Sequence, residues 1–405
     1  MQIKSQTKKI IFLSLFIFFL TIKTSQVTTD SAEWEVISLP GFVFDLGAFA
    51  VPFAATALFA YLTTNFRGTG FRFSLIPTAT VFTGILCYYH LRSFQVGSGG
   101  LNNILAIGVS ALVLLSFSLD REANSETIIK SLIYALGGFT LVSFAIYVLG
   151  YGFPITGSGR RFFGLTPHPN FQGAYSALAF AVFTTIASWN LLCTSRNLRA
   201  LYWGMSFVSA FLVVISGSRT AMGLVVIAIL FGPRLRHRIF TIILFLFLFL
   251  TMGVTILAFP DSAISLAISR IQDAPLDNRS EVWSLLIDDF MDYPFLGAGD
   301  RSGVSGSGYL TAFGGTGFLF GFLFLICIAS ALIKSIKLIF IKSSKIHVDA
   351  KFIFAILLLQ IFAASFFEGY MFDKFGLVQV ATILILSQLG SRARSSIRTK
   401  TQGIS

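Results

Sequence analysis

The sequence predicts an all-α polytopic membrane protein of about twelve transmembrane helices. Three observations predict it: an apolar composition, a recurring apolar stretch of about 20 residues, and a lopsided distribution of charge. The 405-residue chain is 55% hydrophobic and 12% charged, with a mean hydropathy of +0.80. One soluble core cannot enclose that much apolar surface, so a bilayer is the expected solvent. The net charge of +12 would point to nucleic acid in a soluble chain. Here the charges flank apolar runs and read as cytoplasmic anchoring, so no nucleic-acid partner is expected. Cys87, Cys193 and Cys327 lie in or at the end of apolar runs, without a CxxC or a His at metal-ligand spacing, and read as helix-packing residues.

Apolar stretches place spans near 10–22, 41–63, 71–91, 101–119, 131–150 and 171–193. Six more fall near 200–216, 219–231, 238–259, 308–333, 351–368 and 372–390, several short enough to be tilted or partly re-entrant. The first follows Lys8 and Lys9 and is as short as the apolar region of a signal peptide. Lys23 directly after it makes a poor cleavage region, which favours an anchor. With no internal repeat, one membrane domain covers 1–405, and the segment 260–307 between spans nine and ten is its long external loop.

Orientation follows from charge. If odd-numbered spans run outward, 21 of the Lys and Arg residues are cytoplasmic and 9 external, whereas 4 acidic residues are cytoplasmic and 14 external. Both termini are then cytoplasmic, as the excess of Lys and Arg on that side requires. None of the spans carries Asp, Glu, Lys or Arg near its midpoint; Asp45, Glu368, Asp373 and Lys374 sit close to outer ends. That argues against an ion-coupled transporter, which needs an ionisable group or a broken helix at mid-membrane.

Three external segments carry the candidate chemistry. In YGFPITGSGRRFFGLTPHPNFQG (151–173), Arg160 and Arg161 stand outside against the charge bias, and His168 and Asn170 precede a span. SGSRTAMG (216–223) puts Arg219 in a Ser/Gly turn between spans seven and eight. In the long loop, RSEVWSLLIDDFMDYPFLGAG opens with Arg279 and carries a helical apolar stripe of Val282, Leu285, Leu286 and Phe290, which predicts an interfacial helix. A single external Arg is more often a headgroup anchor than a site. Arginines from three loops, however, can converge on one outward cavity, and guanidinium is the side chain suited to gripping a diphosphate through forked hydrogen bonds.

At these residues the chain resembles the O-antigen ligase and O-antigen polymerase superfamily of bacterial membrane glycosyltransferases. The resemblance runs from about 155 to 325. It rests on GRRFFGLTPHPN before a span, SGSRTAMG at the next outer turn, RSEVWSLL followed by YPFLGAG, and YLTAFGGTGFLFG entering a span. It implies inverting glycosyl transfer from an undecaprenyl-diphosphate-linked glycan to an acceptor hydroxyl at the outer face of the inner membrane, with no metal or other cofactor. Arg219 and Arg279 would hold the diphosphate, with Arg161 as a third candidate beside Arg160, Asn170 and Tyr309 as substrate-binding residues. Implied partners are the lipid-linked donor, a glycan or lipid acceptor, membrane lipid and a chain-length regulator.

The chain departs from the family's ligases at the acceptor loop. Where they place a His-Asn pair before the YL that starts the next span, this chain has Gly306 and Ser307. That favours a polymerase of repeat units over a ligase acting on lipid A core or another acceptor. His168 is then the candidate catalytic base, although a His between Pro167 and Pro169 is also a common helix-entry residue. Glu281, Asp288, Asp289 and Asp292 are further base candidates, and acidic residues of that kind also suit a solvated helix face. From other classes, a solute transporter or flippase and a purely structural membrane partner remain as alternatives.

Overall fold

A computed structural model describes residues 2–22, 49–66, 77–98, 100–119, 125–153, 161–166, 168–192, 195–234, 237–243, 279–303, 306–342, 350–372 and 376–389, with isolated positions at 39, 43, 46, 47, 246 and 250. Among these residues the fold is all helical, without strands. The helices are α1 (Gln2–Thr21), α2 (Ala50–Phe66), α3 (Pro77–Gln95), α4 (Gly100–Leu119), α5 (Ser125–Val148) and α6 (Pro169–Trp189). They continue as α7 (Arg196–Ile215), α8 (Arg219–Phe231), α9 (Ser280–Asp292), α10 (Gly308–Lys342), α11 (Ala350–Ala364) and α12 (Leu377–Leu389), with a 3₁₀ turn at Tyr370–Phe372 before the last. Glu126–Val148, Pro169–Trp189, Arg196–Ile215 and Gly308–Phe340 are long and apolar enough to cross a membrane; five further apolar helices are shorter. The expected span at 238–259 lies largely outside the described residues, as does 260–278 of the long loop.

At the centre of the bundle α6 packs against α5, α7, α8 and α11. Its buried face runs through Ala174, Ala177, Ala181 and Ser188, small side chains that let neighbouring backbones approach closely. Both ends of α6 are specified locally. His168 caps the start and Pro169 occupies the first turn, while Asn190 closes the end in the left-handed conformation (φ 56°). On α11, Gln360 donates to the carbonyl of Leu224 at 2.8 Å, tying this helix to α8 through a buried amide.

Two polar ends separate the bundle. At the end where α6 finishes, Arg234 stacks over Trp189 at 4.8 Å, Arg199 donates to the carbonyl of Ala187, and His237 lies between Arg199 and Ser188. At the opposite end the first turns of α6, α8, α9 and α10 gather.

Three expectations need correction. The span read as continuous from 308 is broken at Gly317, whose backbone (φ 77°, ψ 179°) is not helical. A docked loop compensates the break. The amides of Ala298 and Gly299 donate to the carbonyls of Gly314 and Gly315 at 2.7 and 3.0 Å, and the amide of Phe318 donates to Pro294, so the carbonyls freed by the kink are satisfied. The stripe predicted in the long loop does form a helix, α9, but the inward face comprises Val282, Leu286, Asp289 and Phe290 rather than Leu285, which is exposed. Asp289 therefore is not on a solvated face: it looks onto α10 at Gly314. Finally, α11 ends at Ala364, four residues before the predicted end of its span, which leaves Glu368 in a turn.

Candidate functional site

The segment ahead of α6 lies over the turn joining α7 to α8. The amide of Phe162 donates to the carbonyl of Ile215 at 3.1 Å, and Arg161 Nε donates to the carbonyl of Ser216 at 2.9 Å. That turn is written in its residues: Gly217 takes φ 62°, and the Ser218 hydroxyl caps α8 by accepting from the Ala221 amide. Gly173 makes the fit possible, since a Cβ there would collide with Ser216, Ser218 and Ala221. Arg161 is thereby aimed at Asn170, whose side-chain oxygen accepts from Arg161 Nη2 at 2.7 Å.

The other face of Asn170 leads to a carboxylate that the sequence reading did not select. Asn170 Nδ2 donates to Glu368 Oε1 at 3.0 Å. Arg279 Nη2 pairs with the same oxygen at 2.5 Å, while Arg279 Nη1 donates to the carbonyl of Gly306 at 3.1 Å. The guanidinium also lies 5.8 Å from the Phe367 ring centroid. Arg161, Asn170, Glu368 and Arg279 thus form one chain of contacts drawn from the segment before α6, the start of α6, the turn after α11 and the start of α9.

Electrostatics give this cluster an unbalanced character. Glu368 is only 6% exposed. Its burial raises the proton affinity of the carboxyl, and this outweighs the opposing pull of Arg279, Arg161 and Asn170, so its pKa lies above the ordinary carboxylate value. Arg279 pairs with this carboxylate directly, and Arg161 acts on it across space and through Asn170, so two guanidinium groups converge on it. The first turns of four helices add the positive ends of their dipoles at the same place.

The remaining candidates fall at varying distance from this centre. Arg219 is the exposed first residue of α8, three positions from the carbonyl that holds Arg161. His168 uses Nδ1 to accept from the Asn170 amide at 3.1 Å, the helix-entry role that its flanking prolines allow. Tyr309 turns its hydroxyl to the carbonyl of Phe362 at 3.0 Å and packs on Phe366, knitting α10 to α11. Arg160 lies outside the described residues. Glu281, Asp288 and Asp292 are on the exposed side of α9, Asp292 facing Arg301 at 3.9 Å. Ser307 donates its hydroxyl to the carbonyl of Ser365 at 3.3 Å.

One sequence signal pointed to Glu368. The last 56 residues contain two acidic side chains, Glu368 and Asp373, and a lone carboxylate abutting the apolar run FAASFF requires a partner once buried. Asn170 is the bridge, and Asn170→Ala removes two hydrogen bonds to charged groups. A loss of about 2–4 kcal/mol is expected, read as a lowered melting temperature of the purified protein in detergent; unchanged melting would show that the bridge carries no load.

Comparison with known proteins adds no constraint to this geometry: no family model matches the chain, and no curated protein matches it.

Proposed function

We propose that the chain is a multi-pass glycosyltransferase of the bacterial inner membrane. It transfers a glycan from undecaprenyl diphosphate to an acceptor hydroxyl at the outer face and, in the favoured form, polymerises repeat units. The observation that carries this function is the run of contacts from Arg161 through Asn170 to the buried Glu368 and on to Arg279, assembled from four separate elements at one end of an apolar bundle. A lipid diphosphate matches such a place: its tail suits the apolar helix faces, and its charge suits paired guanidinium groups. The twelve spans are read from the apolar stretches, and the cytoplasmic termini and external position of the cluster from the Lys and Arg bias.

In the transfer, the acceptor oxygen attacks the anomeric carbon from the face opposite the diphosphate and inverts it. Charge develops on the departing diphosphate, where Arg279, Arg161 and, from the neighbouring turn, Arg219 neutralise it. Preorganised cations in a water-poor site contribute a few kcal/mol each to such a step. Holding donor and acceptor together supplies much of the rest. Gly306 and Ser307 in place of a His-Asn pair favour polymerisation over ligation.

The test is gel analysis of surface glycan and lipid-linked intermediates in a deletion strain complemented with wild type or Arg219→Ala. Single repeats on the surface lipid are expected in the deletion strain, with partial recovery in the Arg219→Ala strain. Long chains stranded on undecaprenyl diphosphate would make the protein a ligase. Unchanged glycan in every strain would sink glycosyl transfer and put the transporter first.

A further inference from the structure

We infer that Glu368 is the catalytic base that takes the acceptor's proton, and that arrival of the lipid diphosphate is what frees it to do so, a proposal that rests on the glycosyl-transfer function above. The cluster as it stands is latched. Both side-chain hydrogen bonds to the carboxylate fall on Oε1, from Arg279 and Asn170, and a guanidinium paired to a carboxylate suppresses its affinity for a proton. A diphosphate is a stronger partner for Arg279, with more charge and more acceptor oxygens in fork geometry. When Arg279 turns to it, Glu368 keeps the neutral amide of Asn170 and its buried setting, and becomes a better base at the moment the leaving group is in place.

The groups that face Glu368 are Arg279 at the start of α9, Arg161 and Asn170 around the start of α6, and Tyr370 on the 3₁₀ turn, behind which lies Tyr175 of α6. Tyr370 is buried, and among the described residues its hydroxyl has no hydrogen-bond partner. Burial and the neighbouring carboxylate lift its pKa well above the ordinary phenol value. It therefore stays a neutral donor and is not itself the base. The acidic residues of α9 point elsewhere, to solvent or to Gly314. His168 has one ring nitrogen engaged in capping α6. Glu368 is the carboxylate that sits among the arginines.

The proton and electron pairs balance without a further reagent. The acceptor O–H proton passes to Glu368 as the acceptor oxygen bonds to the anomeric carbon. The bond from that carbon to the diphosphate oxygen breaks, and its electron pair leaves on undecaprenyl diphosphate. Departure of the carrier returns Arg279 to Glu368, whose proton affinity falls, and the proton is released to water. The ion pair seen here is the resting state between turnovers.

The experiment uses the full-length protein in detergent, with lipid extract of the deletion strain as the source of native lipid-linked glycan and undecaprenyl diphosphate as the binding probe. Glu368→Gln is expected to bind undecaprenyl diphosphate as tightly as wild type or up to about tenfold more tightly, because a competitor for Arg279 has lost its charge. Its turnover should fall by about 10²–10⁴-fold. Wild-type turnover should decline as pH is lowered through a carboxyl pKa above the ordinary range, since the base must be unprotonated, and Glu368→Gln should lack that limb. Glu368→Gln turnover within threefold of wild type overturns the assignment, as does joint loss of binding and turnover. Should the variant not fold, absence of the acid limb in wild type does the same. Wild-type protein that neither binds the probe nor consumes lipid-linked glycan overturns the glycosyl-transfer function and the base with it.

Discussion

Arg279→Ala lowers turnover by an expected 10²–10³-fold and weakens undecaprenyl diphosphate binding by roughly 10–100-fold, the scale of losing charge-assisted hydrogen bonds to a phosphate and a preorganised cation at the leaving group. The same change also threatens the fold, and the two effects must be separated. Glu368 is buried, and removing Arg279 takes away its ion-pair partner and leaves the Asn170 amide as its hydrogen bond, a loss of up to about 3–5 kcal/mol. Protonation of the carboxyl, already favoured by burial, reduces that cost below neutral pH. The double variant Arg279→Ala with Glu368→Gln removes both charges and is expected to recover most of the lost melting temperature while recovering none of the turnover. Arg279→Lys keeps the charge but not the fork or the contact with the Gly306 carbonyl, so it should fall between wild type and alanine. Should the double variant regain turnover along with stability, Arg279 would be a structural partner of Glu368 and nothing more.

The parts of the site that could be read from sequence are those built from neighbours along the chain. Arg219 follows a Ser/Gly turn, Arg279 opens an amphipathic helix, and Asn170 enters α6 beside its proline and cap. Each is a local motif with a local reason. Glu368 is visible in the sequence only as an acidic residue close to the outer end of a span, because its role depends on partners 89 and 198 residues away. The same limit hid the inward face of α9. Leu285 and Asp289 have the expected periodicity for the wrong sides, because what decides the face is α10, which approaches closely at Gly314. The break at Gly317 was hidden too. In hydropathy, AFGGTGFLFG is continuous with the span that follows, and only the docked segment at 294–299 shows why a chain can interrupt a helix there without stranding its carbonyls.

That docked segment makes Gly297→Ala the substitution with the largest expected effect on stability. Gly297 has φ 72°, a conformation that costs a non-glycine residue about 1 kcal/mol or more, but conformation is the smaller part. A Cβ at this position would overlap the backbone of Gly315 and Thr316, neither of which can rotate away as a side chain would. The segment would have to lift from α10, breaking the amide bonds from Ala298 and Gly299 and the hold of the Arg92 guanidinium on the Gly297 carbonyl at 3.0 Å. Gly314 and Gly315 would then lose their partners in a buried setting. The combined loss exceeds about 4 kcal/mol, the range that marks a named structural failure, and should appear as little or no monodisperse protein after detergent extraction. Gly303 supplies the control. It shares a positive φ of 65°, yet among the described residues nothing lies within 4 Å of where its Cβ would go, so Gly303→Ala isolates the backbone term at about 1 kcal/mol. Similar melting of the two variants would mean that the segment is not clamped on α10. A large gap between them would connect fold to chemistry, because the segment that Gly297 anchors follows directly from α9, and α9 is what presents Arg279 to Glu368.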